Sequence, residues 1–448
     1  MNAFVTTSSP GPTPGALTAP VDPDAEAALD ALAASQPGLA HAFREGWSTP
    51  VGAWAAGQLQ APSDAAFEPA FREALVDELA ERSDLGGVGA EALVARVEAL
   101  GAVLTPHHVC PTPGATFGAI DRMATLGMAR RASGGEAGGP LLLLAWSGVP
   151  MSNSASSGAL CFAESAFEAL LEPGPELKRQ RQAAKDRARD GVVEQRITLV
   201  SSAQRDALLF GCPQPTRLAE VHGAATEALR RVMPAPEAGE DYPRWAARMY
   251  EGLQRQVLGY PDLWVVDLNR VAVRYLCTVL EEPEHPVSRL LAASHGEPHG
   301  EPHTEPRPGF PDMSWFYGRR PGKREKVLTL DAAPEDLREG LVNGTWCPGL
   351  VPVFGALRLL SRVRLLGGYR QVGYLEAIAA AWLESGVVAE DRGVPGHMLT
   401  GRLSHEGRPV YPLDLATGAT PPSVLPTAST PMAQLWAPLL PRVRENAS

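Results

Sequence analysis

His107, His108 and Cys110 stand within the six residues Thr105-Pro106-His107-His108-Val109-Cys110. An imidazole titrates near neutral pH, so either histidine could act as a general acid or base or contact an anionic substrate. Both could equally be polar loop residues bonded to backbone. Two imidazoles and a thiol also raise the question of a metal. A structural zinc takes four ligands supported by a second shell, and His222, His285, His397 and His405 show no ligand spacing. No metal site is expected.

Other polar groups occur after apolar runs. Ser147, Ser152, Asn153 and Ser154 follow the run Leu141–Trp146 and carry groups that orient ligands by hydrogen bonds. No G-x-S-x-G elbow surrounds them, which argues against a serine nucleophile. Gly367-Gly368 follows Val363–Leu366 and allows close approach of backbone to a ligand. Tyr369, Arg370 and Tyr374 come next and are candidate substrate contacts, or caps and packing residues. Pro113-Gly114-Ala115-Thr116-Phe117-Gly118 can present backbone N–H groups to a phosphate or carboxylate at a helix start. Gly114, Thr116, Gly118, Gly367 and Gly368 are therefore the candidate cofactor contacts, or glycines needed for packing. Neither G-x-G-x-x-G nor a Walker lysine is present, so a nucleotide is a candidate cofactor without a fingerprint.

The elements that must position these groups read as α/β. Buried strands are expected at Val103–Leu104, Leu141–Trp146, Leu263–Leu268 and Val363–Leu366, with short strands at Arg196–Val200 and Ala207–Phe210. Helices are expected at Ala25–Ala34, Glu68–Arg82, Ala90–Leu100, Ala119–Arg131, Leu218–Met233, Tyr242–Val257, Val271–Leu280 and Leu375–Ser385. This order predicts a Rossmann-like, mostly parallel sheet with helical insertions and additional N-terminal helices. Ligands of such sheets bind beyond the carboxyl ends of the strands. The expected organisation is a disordered tail (1–24), a helical region (25–89), a first core part (90–175), an insertion (176–256), a second core part (257–411) and a Pro-rich tail (412–448). The insertion opens with a basic helix, Glu176–Asp190, either a solvated face or an anion-attracting arm. The second core part contains a Pro/His-rich loop, 294–309, whose repeated Gly-Glu-Pro-His excludes helix.

Bulk properties narrow the class. The 448 residues carry a formal charge of −11, which disfavours nucleic acid and anionic membrane surfaces as partners. No apolar window is long enough for a membrane span. The five cysteines are widely spaced and lack a C-x-x-C pair, and no secretory signal pattern opens the chain, so a reducing cytoplasm is expected. Oligomeric state is left open.

Two segments resemble the bacillithiol-synthesis cysteine ligase family. His107–Arg131 is similar to its Gln/Gly-rich loop and following helix, with His107 and His108 where that family has paired glutamines. Leu141–Trp146 falls where the family has its next core strand. Within Leu350–Leu383, Arg364-Leu365-Leu366-Gly367-Gly368-Tyr369-Arg370-Gln371-Val372-Gly373-Tyr374-Leu375 resembles its Gly-Gly stretch and aromatic-containing helix. The resemblance implies a Rossmann-like core related to nucleotidyl-transferring synthetases, with both glycine loops lining one cleft. The expected activity is that of a ligase or transferase joining small polar metabolites, an amino acid to a sugar or acid, in a thiol or natural-product pathway. His107 and His108 would serve as acid/base or anion contacts. The alternatives are a non-catalytic binding or scaffold protein that retains the fold, and a metal-dependent hydrolase built on the histidines.

Overall fold

The computed structural model describes residues 23–60, 64–105, 107–135, 138–153, 157–163, 167–189, 195–214, 217–293, 316–320, 323–327, 334–389, 397–441 and 443. Ser154, the Pro/His-rich loop 294–309 and most of the expected disordered tail lie outside these residues. At the centre is a five-stranded sheet of β1 (Ala102–Leu104), β2 (Leu141–Ala145), β3 (Leu263–Asp267), β4 (Arg364–Gly367) and β5 (His397–Met398), in the order β5-β4-β1-β2-β3. Every neighbouring pair is parallel. β2 shows why: its sequence is Leu-Leu-Leu-Leu-Ala and all of it is buried. A strand covered on both faces has no reason to alternate. It pairs with β3 along its whole length, from Leu141↔Leu263 to Ala145↔Asp267.

The chain runs outward from β1 to β2 to β3, then returns to the other side of β1 for β4 and β5. The strand order therefore reverses between β1 and β4. That is the doubly wound, Rossmann-like arrangement, and the reversal is where such sheets open a crevice. Helices α1 (Pro69–Ala80), α2 (Gly86–Leu100), α3 (Ala115–Ser133), α4 (Tyr242–Leu258), α5 (Leu268–Val279) and α6 (Tyr369–Glu384) build the surroundings. α2 packs on β1, α4 on β3, and α6 on β4 and β5, while α1 bridges α2 and α5. The N-terminal helix Val51–Gln58 packs closely on α3, where a Cβ on Gly127 would lie 2.8 Å from the Ala55 backbone.

Several expectations need correction. α3 starts at Ala115 rather than Ala119, because Gly114 is extended (φ −70°, ψ 170°) and caps the helix, so Gly118 lies inside it. Ala207–Phe210 is not a strand. It makes one isolated bridge, Pro150↔Leu208, because its backbone is spent on the loop after β2. An antiparallel sheet of Phe316–Arg320, Lys323–Val327 and Trp346–Pro348 appears in the second core part. The Pro-rich segment after residue 412 is not a tail: Leu413, Met432, Leu435, Trp436, Leu439 and Leu440 are buried. Its prolines suit its extended stretches, while its apolar residues return to the core. On the basic helix, observed as Pro175–Arg189, Arg179 pairs with Glu176 and Glu220 at 3.0 Å. No helix among the described residues is long and apolar enough to cross a membrane.

Candidate functional site

The candidate residues lie along the carboxyl edge of the sheet. Beyond β1, Thr105 N–H still donates to Leu366 O of β4 at 3.0 Å. After residue 106 the backbone re-forms pairing with the end of β2: Trp146 N–H donates to His107 O at 2.8 Å, and Val109 N–H to Trp146 O at 2.9 Å. Extended backbone sends successive side chains to opposite faces, and this separates the two histidines. His107 points inward and is 1% exposed. Its Nε2 lies 2.9 Å from Asp121 Oδ1, while Asp121 Oδ2 accepts from Tyr250 Oη at 2.6 Å and Gln254 Nε2 at 2.5 Å. The ring is flanked by Phe117 and Tyr250, with centroids 4.8 and 5.7 Å away. His107 thus has no route to a substrate in this conformation; it fixes the loop on which His108 stands. His108 is half-buried, and its Nδ1 lies 3.0 Å from Asn153 Oδ1.

The ends of β2 and β3 form a second buried network. Ser147 Oγ donates to Asp267 Oδ1 at 2.7 Å. Asn269 Oδ1 accepts from Ser147 N–H at 2.8 Å and Gly148 N–H at 2.9 Å. Asp267 Oδ1 also caps α5 through Asn269 N–H at 3.0 Å. Asp267 Oδ2 is buried and has no hydrogen-bond partner among the described residues. Burial pushes the Asp267 carboxyl up to about 7, against the opposing bond from Ser147 and charge of Arg270. The backbone donors of Ser147 and Gly148, which a ligand would need, are occupied by Asn269. Farther along, Ser152 is exposed and its N–H donates to Arg205 O at 3.0 Å.

Beyond β4, α6 begins with Gly368 as its cap (φ −67°, ψ 166°), without a side-chain acceptor for its first N–H groups. The two glycines differ. A Cβ on Gly367 would lie 2.1 Å from Gln371 Oε1, whereas one on Gly368 would meet nothing within 4 Å. Gln371 is buried, its Nε2 donates to Thr105 Oγ1, and its Oε1 has no partner among the described residues. The Arg370 guanidinium is exposed and lies 5.9 Å from the Tyr369 ring centroid. Tyr374 packs edge-on against Phe354, at 5.7 Å, and Phe354 lies 5.9 Å from Trp146. That aromatic chain links α6 to the end of β2.

The glycines at the start of α3, Gly114 as its cap and Gly118 within it, face different surroundings. A Cβ on Gly118 would lie 2.9 Å from Pro412 Cγ and 3.2 Å from Leu403 Cδ1. Gly118 is thus a packing glycine covered by the C-terminal segment, which corrects its reading as a cofactor contact. Gly114 and Thr116 are half-buried on the first turn, where Leu403 N–H donates to Ala115 O at 3.0 Å. The pyrophosphate position of a dinucleotide fold, at the helix after the first strand, is therefore narrowed here by chain. At the start of α6, by contrast, the Cβ position of Gly368 faces open space.

The structure thus joins His108 to Asn153, and Thr105 to Gln371. It withdraws His107 and Ser147 into buried networks. Sequence reading missed Asp121, Tyr250, Gln254, Asn269 and the orphaned atoms of Asp267 and Gln371. Signals for some were present: Asp121 shares the buried face of α3 with Gly118, Thr125 and Met128, at helical spacing, and Tyr250 and Gln254 are four apart on α4. No group of three or more His, Cys, Asp or Glu that could hold a metal is assembled among the described residues. What the edge presents is a helix start without a side-chain acceptor at α6 and an imidazole held beside an amide at His108–Asn153. Comparison with protein-family models finds no match, and comparison with curated proteins finds none either.

Proposed function

We propose that this chain is a ligase or transferase that joins small polar metabolites at the carboxyl ends of β1 and β4. One observation carries the reading: the strand order reverses between these two strands, and His108–Asn153 and the open glycine Gly368 stand on that edge. In this reading His108 is the acid/base group, Asn153 and Ser152 orient one substrate, and Gly368 with Arg370 receives a carboxylate or phosphate. A nucleotide phosphate, where one is used, sits at the start of α6 and not at Gly118. The resemblance to the cysteine ligase family supports an amino acid as one substrate. The expected setting is cytoplasmic.

The test is a thermal-shift screen of the full chain with ATP, L-cysteine and glucosamine, followed by turnover assays on any pair that binds. His108→Ala should lower turnover at least tenfold while leaving the melting temperature within about 2 °C, since only one hydrogen bond is lost from a large chain. Full turnover in His108→Ala would overturn the assignment. A second reading, a non-catalytic binding protein, is favoured by the burial of His107 and Ser147. Ligand binding without turnover of any pair would establish it.

A further inference from the structure

A second candidate ligand site lies away from the carboxyl edge. Glu68 precedes α1, and Ser361, whose Oγ accepts from Glu68 N–H at 3.0 Å, precedes β4, so this region belongs to the amino end of that strand. A cleft of about 510 Å³ opens there, lined by Glu68, His285, Leu359, Leu360, Val387 and Val388 among others. That size falls in the range of small-molecule sites, which pair an apolar wall with a few placed polar groups. Here the wall is aliphatic, and the polar groups are one carboxylate and one imidazole.

Local structure fixes the hydrogen-bonding character of both. The Glu68 side chain caps α1, accepting Ala70 N–H on Oε1 at 3.1 Å and Phe71 N–H on Oε2 at 2.8 Å. A carboxylate accepts about four bonds, so capacity remains. Burial pushes this carboxyl up, but His285 and the two backbone donors outweigh it and hold the group below its ordinary value. His285 Nδ1 accepts Val287 N–H at 3.2 Å, at the start of the helix Pro286–Ala293. In the neutral ring the proton is then on Nε2. Nε2 lies 3.7 Å from Glu68 Oε1, and the two side chains are only 10% and 12% exposed. That separation is too long for a hydrogen bond. It leaves a donor and an acceptor, on two half-buried side chains, facing each other across a gap. One hydroxyl oxygen, at ~2.8 Å from each atom, fits between them: the oxygen accepts from Nε2–H and its O–H donates to the carboxylate. The His285 ring itself packs edge-on against the buried Tyr275 ring, with centroids 6.0 Å apart.

We infer that this cleft binds a neutral aliphatic alcohol, its hydroxyl bridging His285 and Glu68 and its chain against Leu359, Leu360, Val387 and Val388. Hydrogen-bond complementarity separates the head groups. A ligand carboxylate would face the Glu68 carboxylate, and a ligand ammonium, though drawn to Glu68, would leave the Nε2–H donor without an acceptor.

Calorimetry or ligand-observed NMR on the full chain with 1-hexanol, hexanoate and hexylammonium tests this. Hexanol should bind saturably, and hexanoate at least tenfold more weakly. Val388→Trp, which fills the cleft, should weaken hexanol at least tenfold without lowering the melting temperature. Leu360→Trp serves the same purpose if that variant fails to fold. Absence of saturable hexanol binding, equal binding to wild type and the folded filled variant, or tighter binding of hexylammonium than of hexanol would each overturn the inference. None of these outcomes depends on the reaction proposed for the carboxyl edge.

Discussion

Two buried carboxyls dominate the residue scale because neither is matched by a buried cation. Asp267 and Asp414 are both pushed up to about 7 by burial, from ordinary values of 3.8. Asp414 spends its oxygens on Ala163 N–H, at 2.9 and 3.1 Å. Between about pH 4 and 7 the folded chain keeps protons that the unfolded chain has released, so stability from these groups falls as pH rises through that window. The effect is on the order of 4 kcal/mol for each. Asp267→Asn keeps an acceptor for Ser147 and Asn269 but removes the titration. Melting curves from about pH 4 to 8 should show wild type losing stability as pH rises, and the variant losing less. An unchanged slope would place the Asp267 carboxyl in water. A third buried carboxyl, Asp121, is a point of convergence for His107, Tyr250 and Gln254. Asp121→Ala leaves three buried polar groups without their partner and should cost about 3–5 kcal/mol in denaturant unfolding.

At the scale of elements, α6 carries the sharpest contrast. Gly367→Ala drives a Cβ into the Gln371 amide, which must break from Thr105 to move, so a loss of about 1–3 kcal/mol is expected. Gly368→Ala meets open space and should leave stability within about 0.5 kcal/mol, while weakening any ligand held at that helix start. Chemical denaturation of the two variants separates these outcomes, and equal losses would mean that Gly368 is also packed. The sequence made both glycines visible but not their difference, which depends on one side chain four residues on. The same limit recurs elsewhere. β2 was legible because four leucines in a row suit a strand buried on both faces, and β1, β3 and β4 by similar runs. β5 is two residues long and leaves no periodic signal. The adjacent histidines were legible as a candidate site, but their separation into a buried and a half-buried ring follows from the pairing of His107 and Val109 with Trp146, 39 and 37 positions away in the chain, which no local pattern encodes.

For the whole molecule, the segment after residue 421 decides whether the chain unfolds as one body. Val51 N–H donates to Thr430 O at 2.8 Å, Met432 N–H to Thr49 O at 2.9 Å and Ala433 N–H to Trp47 O at 2.9 Å. Arg122 of α3 donates through Nε to Pro426 O at 2.9 Å. The segment therefore ties the N-terminal helices to the helix that follows β1. Trp436 is its anchor. Its ring packs edge-on against Phe43 at 4.8 Å and Trp54 at 5.1 Å, and its Nε1 donates to Thr400 O at 2.8 Å, just beyond β5. Removing a buried tryptophan costs about 3–5 kcal/mol, a large part of the stability of an ordinary domain. Trp436→Ala should accordingly expose the helices Pro37–Gly46 and Val51–Gln58 before the sheet. Hydrogen exchange followed by mass spectrometry would then show residues 37–58 exchanging faster than β2 in the variant, but together with it in wild type. Protection lost equally across both regions would mean that the N-terminal helices and the sheet share one core independent of this anchor.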